Sequence, residues 1–282
     1  MRRVPNSAKN SFVRTASDAP VAQRLRGSIL FYGDNRSAGG KGEARRSQLP
    51  VSTAISGPSA VARLPYCWAM TSRVIPAIAA AILAIEAVVV GITVANARRL
   101  LLPVTVDLDG GITLATVNLG VAAIVLLAFS ALCRGVSALW PAQVIRWIEW
   151  SQVSAVTVFL IAQLNGIRDV AALVVLYALT AAASLFLLVH ERSGGRWPFA
   201  YGAAVGIVPW GVIAFYQIGA IVAGDDPAPI IRVITTAMLA VAAGYWFVAF
   251  HYKVTALAQT VLVTAHVSLF AWLAMASLHQ SV

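Results

Sequence analysis

The sequence predicts an all-α bundle of seven membrane-spanning helices, on three observations. Seven long apolar stretches separated by short polar breaks fill residues 75 to 278. The 282-residue chain is 59% hydrophobic and 11% charged, whereas soluble domains carry roughly 25% charged residues. The stretches are long enough to cross about 30 Å of hydrocarbon, which takes about 20 apolar residues.

Residues 1–74 form a separate segment, polar and rich in Arg, Ser and Gly without a sustained helical period, for which disorder is expected. A basic tail on an anionic membrane surface and a transit peptide are two readings of it. The preferred reading starts translation at Met70, with the upstream residues an extension, because Met70, Thr71, Ser72 and Arg73 lead straight into the first span.

The seven-helix domain, 75–278, reads as spans over 75–95, 112–133, 142–166, 169–190, 199–223, 229–250 and 254–278. The first carries Glu86 midway, and the second ends in Phe129, Ser130, Ala131 and Leu132. The third is the least apolar, with Arg146 and Glu149 inside it. At 100° per residue Arg146, Glu149, Gln152 and Gln163 share one face, which should point inward, and Arg146 and Glu149 are spaced to pair with each other. Carboxylates in a span cost at least about 2.5–3.5 kcal/mol and so tend to face the bundle interior. Glu149 therefore reads either as an internal packing pair or as the lining of a ligand pocket. Glu86 reads as a carboxyl hydrogen-bonded to a neighbouring helix. The fifth span places Pro209 and Trp210 between Gly206 and Gly211, a kink with room for close approach. On the seventh, His266 shares a face with Gln259 and Phe270, and Val267 shares another with Thr260 and Val263. A lone membrane histidine is more often a hydrogen-bonded packing residue than a ligand. Lys253 is the only lysine after Lys41, and it precedes the seventh span.

Several function classes find no support. Cys67 and Cys133 suggest neither a disulfide framework nor a metal site. There is no phosphate loop, nucleophile elbow or His-Glu-x-x-His pattern, so neither an enzyme nor a metal protein is expected. The net charge of +10 lies mostly in the first 73 residues, which hold twelve of the 21 Lys+Arg, and nothing else points to nucleic acid. With the N-terminus cytoplasmic, Arg134, Arg146, Arg192, Arg196 and Lys253 fall inside, against Arg98, Arg99, Arg168 and Arg232 outside. The tail strengthens that orientation. An odd number of spans then puts the C-terminus outside a plasma membrane. Trp140, Trp147, Trp150, Trp197 and Tyr252 cluster near the inside ends and read as interfacial anchors.

The chain resembles the heliorhodopsins. The resemblance is carried by Ala84, Ile85, Glu86, Ala87, Val88, Val89 in the first span and by Leu102, Pro103, Val104, Thr105 after it. The end of the second span and Gly206, Ile207, Val208, Pro209, Trp210 in the fifth add to it. Most specific is Arg146, Trp147, Ile148, Glu149, Trp150, Ser151, similar to the family's Arg-Trp-(Val/Ile)-Glu-Tyr-Ser. Ser268, Leu269, Phe270, Ala271, Trp272 are similar to its Ser-Leu-Leu-Ala-Trp. The resemblance implies a microbial-rhodopsin-like fold with the N-terminus inside, a homodimer, and a light sensor or regulator rather than an ion pump. It also implies all-trans retinal held as a Schiff base on a seventh-helix lysine, with Glu149 as counterion.

Two departures follow. Val267, beside His266, stands where the lysine should be, and Leu83 and Arg134 stand where the family has pocket histidines. Valine offers no amine and imidazole forms no stable imine. Lys253 is 14 residues from Val267, about 21 Å along a helix. The expected site is thus Glu149, Gln152, Pro209, Trp210, His266 and Val267, holding retinal non-covalently at best, or another apolar small molecule. Glu149 is expected to be protonated or paired to Arg146. The alternative is a light-independent transporter or channel with Glu86, Glu149 and Arg146 as its polar path.

Overall fold

A computed structural model describes residues 64–106, 112–251 and 255–280. The expectations for residues 1–63, and for Tyr252 and Lys253, lie outside the described residues, while residues 64–74, expected to be disordered, are the start of the first helix. Seven helices follow one another: α1 Leu64–Asn96, α2 Leu119–Leu139, α3 Gln143–Leu164, α4 Val170–Ser193, α5 Arg196–Ala223, α6 Pro229–His251 and α7 Ala256–Gln280. All seven are long and apolar enough to cross a membrane. Large apolar side chains such as Ile85, Val125, Leu132, Ile207, Phe215 and Phe247 lie on the outer surface, as a hydrocarbon solvent permits. The core runs through Leu83, Leu127, Trp147, Ile161, Tyr245 and Phe270. The central α3 contributes most to it, burying fourteen of its residues.

The second span differs from its expected bounds. Residues 112–118 are a strand, not the start of a helix. β1 Leu101–Val106 and β2 Ile112–Asn118 pair antiparallel, from Leu101 opposite Asn118 to Val106 opposite Ile112, with an irregularity between Val104 and Thr105. Ile112, Thr113, Thr116 and Val117 are β-branched, which favours a pleated surface over a helix. Asn118 makes the switch: its side-chain oxygen accepts from the amides of Gly120 and Val121, capping α2. The hairpin is fastened to the turn after α3, where the Thr105 amide donates to the Arg168 carbonyl at 2.8 Å. At its other end α2 runs on to Leu139, so Arg134, expected in a loop, lies inside the bundle with no exposed surface. Removing it levels the inside and outside loop cations expected from the sequence at four each.

Asp169 caps α4 through the Ala172 amide, and Gly194 ends the helix at φ 66°, a left-handed conformation that glycine adopts without steric cost. Pro209 sits buried within α5. Of the glycines beside it, Gly206 lies close to α4, a Cβ there falling 3.2 Å from Ala183, whereas Gly211 has no neighbour within 4 Å. Gly202 is tighter still: an added Cβ would sit 2.8 Å from the Phe186 Cβ and 3.2 Å from the Ala183 carbonyl. Gly202→Val should therefore lower stability by about 1–3 kcal/mol, the usual cost of overpacking. Thermal unfolding in detergent, with Gly211→Val as the near-neutral comparison, measures it.

Candidate functional site

Ser130 and Arg134 stand one turn apart on α2 and both project into the bundle, fully buried. They converge on Glu149 of α3, which is equally enclosed. Arg134 Nε donates to Glu149 Oε1 at 3.0 Å, and Nη2 lies 2.9 Å from Oε2, a two-pronged ion pair. Ser130 Oγ adds a 2.6 Å hydrogen bond to Oε1. The remaining arm of the guanidinium, Nη1, donates to Thr260 Oγ1 of α7 at 2.9 Å, and the Thr260 hydroxyl donates to the Ala256 carbonyl. One carboxylate and one permanent cation thus tie three helices together. The planar fork of arginine suits this geometry as a lysine would not.

The expected Arg146–Glu149 pair is not formed. Arg146 is half-buried and makes no ion pair among the described residues; its carbonyl accepts from Gln259 Nε2 at 3.3 Å. The cause is position. Arg146 lies in the first turn of α3, with its Nη1 buried and without a hydrogen-bond partner among the described residues, while Arg134 approaches Glu149 from the facing helix.

The other expected site residues divide between separate places. Gln152 faces α4, where its Oε1 accepts from the Tyr177 hydroxyl. His266 is buried, with Nε2 3.3 Å from Thr157 Oγ1 and its ring 5.2 Å from that of Trp150. Trp150 stacks on Tyr245 at 4.1 Å. His266 and Trp210 both line a cavity of about 30 Å³, together with Trp150, Ser154, Gly206 and Trp246. Pro209 and Val267 are buried, and neither lines that cavity. Glu86 accepts from Ser268 Oγ at 2.5 Å, the link to a neighbouring helix expected for it. Sequence reasoning missed Arg134, Ser130 and Thr260 as a set. The available clue was the i, i+4 spacing of Ser130 and Arg134.

The residues present do not fit covalently bound retinal. No lysine falls among the described residues. A cavity of about 30 Å³ holds about one water molecule, whereas sites for small organic ligands occupy about 300–1,000 Å³. Glu149, the carboxylate a protonated Schiff base would need, is already matched by Arg134. Among the described residues no cluster of His, Cys, Asp or Glu could hold a metal ion.

Comparison with known proteins agrees with the architecture. The family model described as Heliorhodopsin matches residues 66–263, more than half of the chain, ending just short of Val267. None of the curated proteins matches it.

Proposed function

Since this chain belongs to the heliorhodopsin family, we propose that it is a sensory or regulatory membrane protein whose internal cation is Arg134 in place of a retinal Schiff base. The reading is carried by one observation, the fully buried Arg134–Glu149 pair at 2.9 Å. In a protein that carries a pigment, the carboxylate must be free to answer the charge on the chromophore. Here a guanidinium of the chain itself takes the place of that charge and answers the carboxylate. Val267, fully buried in α7, removes the amine, and the small volume beside His266 removes the space. The resulting protein is colourless and light-independent, and it acts through helix packing or through what it touches in the bilayer. The family and the basic N-terminal segment support a plasma-membrane location with the N-terminus cytoplasmic, and the family supports a homodimer.

The conducting alternative loses support from the same pair. Of its three polar groups, Glu149 is held by Arg134 and Glu86 by Ser268, which leaves Arg146 without a continuous acidic path.

The direct test is to express the full chain with all-trans retinal, reduce it with borohydride and record spectra and peptide masses. The expected result is no visible band and no retinyl adduct on any peptide. An adduct on any residue, Lys253 included, overturns the reading.

A further inference from the structure

The pair of Arg134 and Glu149 joins α2 to α3 at one level of the bundle. Toward the hairpin the two helices leave a groove of about 490 Å³ between them. Val121, Ala122, Val125 and Phe129 line it from α2, and Gln152 and Val156 from α3. Val121 and Val125 are well exposed, so the groove opens sideways, to the hydrocarbon that surrounds a spanning helix.

Its polarity is graded. The hairpin end is lined by Thr116 and Asn118, the long walls are aliphatic and aromatic, and Gln152 stands at the deep end. Gln152 is already tied to Tyr177, and the Asn118 side-chain oxygen is taken up by the α2 cap. The walls therefore ask for an apolar occupant with its polar part at the hairpin. Length sets its kind. From Asn118 to Phe129 the α2 lining advances eleven residues, about 16 Å at 1.5 Å per residue. Half of a hydrocarbon core about 30 Å thick is nearly the same.

We propose that this groove is a binding site for one acyl chain of a lipid from the leaflet on the hairpin side. The ester and headgroup would lie at Thr116 and Asn118, and the chain terminus at Phe129 and Gln152. The chain fills the wedge that α2 and α3 leave beyond their ion pair. This site is separate from the cavity beside His266, and it does not depend on whether the chain carries a pigment.

Photolabelling tests it. The full chain is reconstituted in nanodiscs of phosphatidylcholine carrying a diazirine at the end of one chain, irradiated, and digested for mass mapping. Labelling at Phe129, Gln152 and Val156 should exceed by several-fold that at Ile207 and Phe215, which lie on the outward face of α5 nearer its middle. Moving the diazirine next to the ester should shift the label to Asn118 and Val121. Ala122→Phe, which fills the groove, should reduce the groove signal to the α5 level without changing α5 itself. Val156→Trp is the second filling variant if Ala122→Phe does not fold. Equal labelling of groove and α5 in the unaltered chain, or a groove signal that survives a folded filling variant, overturns the proposal and leaves only ordinary surrounding lipid.

Discussion

Arg134→Leu is expected to destabilise the bundle by about 3–5 kcal/mol, the cost of stranding one partner of a buried ion pair. The stranded group is Glu149, which would keep only Ser130 of its present donors. Glu149→Leu should cost a similar amount for the opposite reason, because a guanidinium would then remain in the core with Thr260 alone. The double variant is the informative one. Replacing both members of such a pair by apolar residues is often neutral or even stabilising, so Arg134→Leu with Glu149→Leu should recover most of the loss. Unfolding of the four proteins in one detergent completes the cycle. If the single losses simply add, the two residues are not coupled and the account of the site is wrong.

Val267→Lys should also be costly in the unaltered background. Position 267 has no exposed surface, and a lysine at the centre of a span costs about 2.5–3.5 kcal/mol on insertion scales. By the family resemblance the acceptor for such an amine is Glu149, which Arg134 already holds. Thr260, Val263 and Val267 share one face of α7, all three buried, and side chains on a helix lean toward its N-terminus. An amine introduced at 267 therefore leans toward Thr260, the residue that touches Arg134. This predicts a reversal of sign: Arg134→Leu destabilises the natural protein but stabilises the Val267→Lys variant, because the new amine can then serve Glu149. Unfolding without any added retinal measures it. An Arg134→Leu change that is harmful in both backgrounds would mean that position 267 does not address Glu149.

The seven spans were legible because length and apolarity are local properties that a bilayer reads directly. The enclosed position of Glu149 was legible for the same reason, since an acid in such a stretch seeks the interior. Its partner was not. Arg146 is near in sequence, but the pair is decided by which side chain reaches across from the facing helix, and Arg134 was masked by its place near the expected end of the second span. The shared wheel face of Glu149 and Gln152 was too coarse a guide. Three residues fall 60° short of a full turn, enough to send Glu149 toward α2 and Gln152 toward α4. The hairpin was missed because Ile112 to Val117 is apolar enough to extend a span, although its β-branched residues favour a strand.

One fastening of the hairpin is written in main-chain atoms alone, the Thr105 amide and the Arg168 carbonyl. Mutation can therefore reshape the exposed side chains of this rim, though not the buried Leu102 and Val104, while that latch stays shut. Only proline at 105, which lacks the proton to donate, would remove it outright, so the rim is free to diversify without loosening the corner it guards.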